Sequence, residues 1–278
     1  MLDHPMPASG AAEALALRYR EAAPAATAWN PVIASLLGHR SVRAYTDRAL
    51  PPGTLEALVA AASSASTSSN LQTWSVVAVE DKARRDRLAG LAGSQKHISA
   101  APLFLCWVAD LSRAERVGQR AGQEMAALPY LEAFMLATID AALAAQNATA
   151  AAESLGLGTV YIGGMRNHPE EVAAELSLPP DAMVVFGLCV GFEDPAQPAA
   201  VKPRLPQGAV LHHEQYRSGA EPDLVAAYDE TLRAFQAEQS MRPQGWSQLI
   251  LSRLGALKGL SGRERLRDAV HALGFGLR

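Results

Sequence analysis

Cysteine is scarce in this sequence: the 278 residues contain only Cys106 and Cys189, each inside an apolar run. Two such cysteines are too few for a metal cage, and in apolar runs they usually behave as small buried hydrophobic residues. His212-His213-Glu214 is interpreted as structural, because neighbouring residues diverge on a strand or a helix. The pattern predicts reduced thiols, no metal site and a cytoplasmic location.

An excess of positive charge is also lacking, since the formal net charge is −3. Proteins that bind nucleic acid usually present a basic field, so no nucleic-acid partner is expected. The longest apolar segment, 131–156, contains Asp140, Gln146, Asn147 and Glu153. These polar groups would make a bilayer location costly, and the sequence therefore predicts no membrane span.

Familiar catalytic motifs are absent as well. There is no Gly-x-Gly-x-x-Gly, no Walker loop, no Gly-x-Ser-x-Gly elbow and no His-Glu-x-x-His helix. No pair of carboxylates stands out as an acid/base dyad. An enzyme without its own acid, base or nucleophile usually takes its chemistry from a cofactor.

Short apolar strands alternate with helical segments along the chain. Strands are predicted over 73–80, 102–109, 159–162 and 183–190, and their consecutive apolar residues are typical of a sheet buried on both faces. A long helix predicted over 124–155 is apolar on nearly every face, so it belongs in a core or under a partner subunit. The pattern predicts an α+β fold whose central sheet is covered by helices on both faces.

Three parts of the chain are distinguished. Residues 1–25 are predicted to be an N-terminal arm that is partly disordered, 26–220 the core, and 221–278 a helical C-terminal extension of the same domain. Residues 253–278 carry six Lys/Arg against two Asp/Glu. This basic stretch is either a solvated face or a site for an anionic ligand or partner.

Two distant segments concentrate anion-binding chemistry. The stretch from His39 to Arg43 holds three potential cations and a serine, and in an extended segment His39, Ser41 and Arg43 would share a face. Lys202-Pro203-Arg204 places two more cations at alternate positions. Each segment alone is typical of a solvated turn, but together they would form a phosphate clamp, because arginine forks bind phosphate oxygens in pairs.

Three further polar elements suit a flat, phosphorylated ligand. They are the Ser/Thr-rich loop ending at Gln72, the stretch Gly93–His97, and the stretch Tyr161–Asn167. Hydroxyls and amides can meet a polyol chain and a ring carbonyl edge, and paired glycines allow a close backbone approach to a ring.

The order of these elements resembles the flavin-dependent nitroreductase family. The resemblance is greatest to its branch of oxygen-insensitive NADPH nitroreductases and NADPH:FMN oxidoreductases of the flavin reductase P type. It is carried by Gly38–Arg43, Gln95–His97, Ala151–Gly158, Tyr161–Gly164 and Lys202–Pro206.

This resemblance implies a nitroreductase-like fold with a mixed central sheet, and an intertwined homodimer that holds FMN between its subunits. No side chain is implied to be catalytic, because the chemistry takes place at N5 of FMN. By position, the implied contacts with the phosphate and ribityl chain are His39, Arg40, Ser41, Arg43, Lys202 and Arg204. The implied contacts with the rest of the flavin are Thr67, Gln95, Tyr161, Ile162, Gly163 and Gly164.

One stretch departs from the family pattern. The Arg-Gly-Ser sequence that the branch uses for NADPH corresponds to Ala237–Arg242, where the first arginine is missing and Glu238 brings a negative charge. Arg242 is the candidate for binding the nicotinamide nucleotide, and the choice between NADPH and NADH stays open.

The sequence therefore leads to one main functional hypothesis and two alternatives. The main hypothesis is an FMN-dependent oxidoreductase that passes hydride from NAD(P)H to nitroaromatics, quinones or free flavin by a ping-pong mechanism. The first alternative is a flavin-binding or flavin-delivery module with little turnover. The second is a metal-free phosphosugar enzyme that uses the same clamp.

Overall fold

The computed structural model describes residues 10–21 and 28–278. Most of the predicted N-terminal arm, residues 1–9 and 22–25, lies outside the described residues. The chain packs as two compact units, the first comprising Met1–Arg40 and Ala199–Ser261, and the second Ser41–Pro198 and Gly262–Arg278. The predicted boundaries near residues 26 and 220 stay predictions, and the packing groups the C-terminal residues with the central part of the sequence.

The second unit is built on a four-stranded sheet. Its strands are β1 (Trp74–Val79), β2 (Leu103–Asp110), β3 (Gly158–Ile162) and β4 (Ala182–Gly191), in the order β1-β2-β4-β3. All three neighbouring pairs of strands are antiparallel. The mixed sheet implied by the resemblance is therefore antiparallel between its four strands, and an isolated parallel bridge joins Ser41 to Thr159.

The helices of the described residues follow in chain order. They are α1 (Ala11–Tyr19), α2 (Pro31–Leu37), α3 (Thr54–Ser63), α4 (Lys82–Leu91), α5 (Lys96–Ala100), α6 (Ser112–Ala121), α7 (Leu131–Ser154), α8 (Pro169–Glu175), α9 (Glu221–Glu238), α10 (Trp246–Leu254) and α11 (Leu266–Ala272). Within residues 10–21 and 28–278, no helix combines the length and apolar character needed to cross a membrane.

Alternate residues of β2 pack on opposite faces of the sheet. Phe104, Cys106 and Val108 pack in one core cluster with residues of α4, α5 and α8. Leu103, Leu105 and Trp107 pack in a second cluster with residues of α3 and α7. The prediction of a nitroreductase-like α+β fold with helices on both faces is therefore confirmed.

A β-bulge in β4 changes which of its residues face each side of the sheet. Trp107 pairs with Phe186 but Val108 pairs with Val184, so Val185 is an extra residue on β4. One inserted residue reverses the alternation of side chains. Val184 and Cys189 consequently face the same core cluster although their numbers differ in parity.

Both cysteines are buried and unpaired, as the apolar runs predicted. Burial raises the pKa of each thiol well above its usual range, because a thiolate would be desolvated there. Cys106 and Cys189 therefore act as apolar core residues.

All four predicted strands lie within a residue of their expected bounds, whereas two predictions about helices differ from the structure. Helix α7 begins at Leu131 rather than at 124, because Pro129 lacks an N–H and its ring clashes with a helical carbonyl four residues earlier. The sequence predicts Thr54 as the cap of α3, but Gly53 occupies the cap position and the Thr54 hydroxyl donates to the Pro51 carbonyl at 2.7 Å.

A buried carboxylate joins α7 to the Ser/Thr-rich loop. Asp140 is 2% exposed, and its Oδ2 accepts hydrogen bonds from Thr67 Oγ1 at 2.6 Å and from both N and Oγ1 of Thr73 at 3.0 Å. Its Oδ1 accepts from the Ser68 N–H at 3.3 Å. The loop adopts positive φ at Ser69, Asn70 and Gln72, an uncommon backbone conformation that Asp140 stabilises.

The first unit has a small apolar core of its own. Tyr228, Leu232 and Phe235 of α9 form its centre, and Leu205 and Trp246 pack against them. The segment around Lys202 is thus attached to α9 and α10 through apolar contacts.

We predict that Asp140→Ala lowers the free energy of unfolding by about 2–4 kcal/mol, because Thr73 and Thr67 lose a buried acceptor. Urea unfolding followed by tryptophan fluorescence measures the change. Asp86→Ala is the control, since Asp86 pairs with Lys82 on an exposed helix face and should have little effect. Equal stability of the two variants would contradict the role assigned to Asp140.

Candidate functional site

The two predicted cationic segments of the first unit are joined by a residue that sequence reasoning missed. The Arg18 guanidinium donates to the carbonyls of Leu37 at 2.7 Å, His39 at 2.6 Å and Lys202 at 2.7 Å. The backbones of the His39-Arg40 and Lys202-Arg204 segments therefore meet at Arg18. Nothing in the local sequence around Arg18 marks this contact, because its acceptors are distant backbone groups.

The Lys202-Pro203-Arg204 segment alternates between exposed and buried residues. Lys202 and Arg204 are exposed, whereas Pro203 between them is buried. The Tyr228 hydroxyl donates to the Pro203 carbonyl at 2.8 Å, and the Arg204 N–H donates to the Arg18 carbonyl at 3.1 Å. The protein thus holds this backbone from behind and leaves both cations accessible to solvent.

In the second unit, Ser41 and Arg43 lie on an extended segment beside β3. The Val42 N–H donates to the Thr159 carbonyl at 2.8 Å, and the Val42 side chain is 1% exposed. Arg43 is exposed, so the alternation predicted for this segment holds from Ser41 to Arg43.

His97 lies close enough to Arg43 to be affected by its charge. Burial, with Arg43 as a second cause, lowers the pKa of His97 below its ordinary value of 6.5. His97 is therefore mainly neutral at pH 7. The Gln95–His97 element and the Arg43 element, far apart in the sequence, are brought together.

Gln95 packs against the glycine pair that follows β3. Its Nε2 donates to the Ala92 carbonyl at 2.8 Å. A Cβ on Gly164 would lie 2.4 Å from that carbonyl oxygen and 2.5 Å from Gln95 Nε2. Gly164 is thus required for contact with the chain's own Ala92–Gln95 turn, a reason different from the ring approach expected of the glycine pair.

Tyr161 and Ile162 offer a ligand mainly their backbone. The Ile162 side chain is 1% exposed in the core. The Tyr161 hydroxyl hydrogen-bonds Thr149 Oγ1 of α7 at 3.0 Å, and its ring packs edge-on against Phe186. Burial raises the pKa of Tyr161 to about 12, so the phenol stays protonated at neutral pH.

Thr67 is committed to a network within the protein. Its hydroxyl donates to Asp140 and accepts from the Gln72 N–H at 2.9 Å. A ligand at Thr67 can therefore meet only the remaining lone pair, which favours a ligand hydroxyl or N–H over a phosphate oxygen.

A cavity of about 560 Å³ lies along β1 next to this loop. Arg113 lines it and donates to the Gln72 carbonyl and to Ser75 Oγ, both at 2.9 Å. The volume of this cavity is in the range of small-molecule pockets. The predicted flavin contacts are not among its lining residues, which are Ser63, Leu71, Gln72, Trp74, Ser75, Val76 and Arg113.

The region expected to bind the nicotinamide nucleotide lies at the end of α9. Arg242 is exposed. Glu238, the residue with the unfavourable charge, forms a salt bridge with Arg20 at 3.0 Å, and this pairing reduces its negative field.

No group of three His, Cys, Asp or Glu residues able to hold a metal ion occurs in the part of the chain that the structure describes.

Comparison with known proteins identifies the family. Residues 36–192 match the description "Nitroreductase family", and residues 202–278 match "Nitroreductase family, C-terminal domain". The chain is 41% identical over 223 residues to an oxygen-insensitive NADPH nitroreductase of Salmonella typhimurium, covering 80% of this chain and 90% of the relative.

Two Bacillus proteins are similar to this chain over nearly the whole of their own length. An FMN reductase (NADPH) of Bacillus subtilis is 37% identical over 251 residues, covering 88% of this chain and 98% of the relative. The solved structure of B. megaterium NfrA2 is 34% identical with a TM-score of 0.85, covering 90% of this chain and 100% of that one. By sequence and by fold, the chain belongs to the nitroreductase family.

Proposed function

We propose that this protein is an FMN-dependent oxidoreductase that passes hydride from NAD(P)H to nitroaromatics, quinones or free flavin. Relatives named FMN reductase (NADPH) and oxygen-insensitive NADPH nitroreductase support this function. The observation that carries it is the meeting of the His39 and Lys202 segments at Arg18.

The residues present fit the phosphate of FMN. Lys202, Arg204 and Arg43 are exposed, and each is next to a buried residue that fixes its backbone. Guanidinium and ammonium groups are the donors that bind a phosphate monoester most strongly. His39, Arg40 and Ser41 complete the set that we assign to the phosphate and ribityl chain.

The residues assigned to the remainder of the flavin fit by their donors and acceptors. Gln95 Nε2 is held by the Ala92 carbonyl, which orients Oε1 as an acceptor for a ring N–H. Thr67 presents a lone pair to a ribityl hydroxyl. Tyr161 to Gly164 would contribute backbone groups.

FMN held by these residues would supply the chemistry of hydride transfer between NAD(P)H and an electron acceptor, in a ping-pong mechanism. The protein contributes binding, orientation and electrostatics. Arg43 and the other cations stabilise negative charge by preorganised hydrogen bonds. His97 is mainly neutral at pH 7, and Tyr161 remains protonated.

We assign the nicotinamide nucleotide to the region of Arg242. Arg242 is exposed and could pair with a 2′-phosphate, while Arg20 partly neutralises Glu238. This arrangement favours use of NADPH, with NADH as a second donor.

The proposed active form is an intertwined homodimer. Helix α7 exposes apolar side chains at four-residue intervals, namely Leu131, Met135, Ile139 and Leu143, with exposed fractions of 43–53%. Residues at this spacing form a ridge that packs well against a second helix. The same helix holds Thr67 through Asp140, so dimerisation would bear on the flavin loop.

A cytoplasmic location accords with the two buried, unpaired cysteines and with a supply of reduced nicotinamide nucleotides. The expected partners are small-molecule electron acceptors, with no nucleic acid and no membrane.

The alternative function is a flavin-binding or flavin-delivery module with little turnover. It is favoured by the replacement of the expected arginine in the Ala237–Arg242 stretch. It predicts the same flavin site but a weak site for the nicotinamide nucleotide.

The phosphate assignment predicts a selective loss of flavin. Arg43→Ala or Arg204→Ala should reduce bound FMN at least about tenfold, because a charge-assisted hydrogen bond contributes about 1.5–3 kcal/mol. Absorbance of the purified protein measures the flavin, and thermal unfolding of the apoprotein should change little. Arg120→Ala, which removes an exposed arginine of α6, is the control. Equal flavin content in all variants would contradict the assignment.

Turnover separates the two functions. Oxidation of NADPH or NADH with a nitrofuran or a quinone should show the parallel double-reciprocal lines of a ping-pong mechanism. Arg242→Gln should raise the KM for NADPH more than that for NADH, because only NADPH carries the 2′-phosphate. A flavin-loaded protein that oxidises neither nucleotide would establish the delivery module instead.

The dimer is tested on the exposed ridge of α7. Ile139→Asp should convert the dimer to a monomer in analytical ultracentrifugation, because it places a charge in an apolar interface. Val117→Asp is a matched control, since Val117 is 58% exposed on α6 and Ile139 is 53% exposed. A dimer that survives Ile139→Asp would exclude this ridge as the interface.

A further inference from the structure

Helix α1 precedes the part of the chain that matches the family. The family match begins at residue 36, whereas α1 spans Ala11–Tyr19. Within α1, Arg18 is the buried residue, with 4% of its surface exposed. A buried arginine in a helix outside the family match requires a physical explanation.

The explanation lies in the acceptors of its guanidinium group. Nη2 donates to the Leu37 and His39 carbonyls, Nε donates to the Leu37 carbonyl at 3.2 Å, and Nη1 donates to the Lys202 carbonyl. The planar fork of arginine can bond two segments at once in a fixed geometry, which a lysine ammonium cannot reproduce. Arg18 therefore sets the separation of the His39 and Lys202 backbones.

The main chain of α1 adds a second constraint on the same segment. The Arg18 carbonyl accepts the Arg204 N–H at 3.1 Å, so Arg18 contacts the segment through both its side chain and its backbone. The Tyr228 hydroxyl holds the intervening Pro203 carbonyl. Burial raises the pKa of Tyr228, while the charges of Arg18 and Arg204 act in the opposite direction, which shows how close these groups are.

Burying a guanidinium is costly unless its donors are bonded. Here the bonds go to carbonyls of the two segments that carry His39, Arg40, Lys202 and Arg204. The protein thus places the buried Arg18 guanidinium against the backbones of these two segments.

We propose that Arg18 is a positioning residue for the phosphate of the flavin, and that it makes this protein select FMN over riboflavin. This inference rests on the proposed function, because it takes His39, Arg40, Lys202 and Arg204 as phosphate ligands. Arg18 acts through their backbones: it holds the two cationic segments at the spacing that one phosphate group requires.

The test compares two flavins that differ only in the phosphate. Full-length apoprotein is titrated with FMN and with riboflavin, and the quenching of flavin fluorescence gives each Kd. Arg18→Gln should raise the Kd for FMN about tenfold and the Kd for riboflavin less than about twofold, because only FMN uses the charge-assisted bonds. A purely structural role would weaken both flavins by the same factor.

Arg20→Gln is the matched control on the same helix. Arg20 pairs with Glu238 and is not bonded to the three carbonyls, so both Kd values should stay within about twofold of the parent. If Arg18→Gln does not fold, the two Kd values are measured on Arg18→Lys instead. It keeps the charge but loses the fork, and the Kd for FMN should rise about threefold with little change for riboflavin.

Two results would overturn the inference: an unchanged Kd for FMN in Arg18→Gln or Arg18→Lys, or an equal loss of affinity for both flavins. Both differ from failure of the proposed function, in which the parent protein itself would bind neither flavin.

Discussion

Burial of β2 on both of its faces is the constraint on which the second unit depends. Every residue from Leu103 to Asp110 is buried, with helices on either side and a paired strand on either edge. Such a strand has no freedom to slip, because a shift by one residue would exchange its two faces. This fixes β4, which pairs with β2, and β3, which pairs with β4, so the Gly163–Arg166 turn after β3 begins from a defined position.

Two buried charged residues of opposite sign order loops, Asp140 within the second unit and Arg18 within the first. Asp140 accepts hydrogen bonds from the Thr67–Thr73 loop, and Arg18 donates hydrogen bonds to carbonyls of the His39 and Lys202 segments. In each case the cost of burying a charge is offset by several hydrogen bonds, from one loop to Asp140 and from Arg18 to two segments. The backbones of these loops are thus fixed by buried hydrogen bonds.

The N-terminal helix is integrated with the family-matched residues of the first unit. Arg18 contacts the segment around Lys202, and Arg20 pairs with Glu238 at the end of α9. Two residues upstream of the family match therefore touch two regions to which we assign binding of phosphate groups. Arg18 thus supports both cationic segments from a helix that lies upstream of the family match.

Local patterns in the sequence determined the elements and the family. The apolar runs mark the four strands to within a residue, and the ordered motifs by themselves indicate a nitroreductase. Only the tertiary structure decided which residues support the site. The bond from Arg18 to Lys202 spans 184 residues and the bond from Thr67 to Asp140 spans 73, and hydrophobic periodicity reports only on neighbours along one element. Buried contacts between distant polar groups depend on how the whole chain packs.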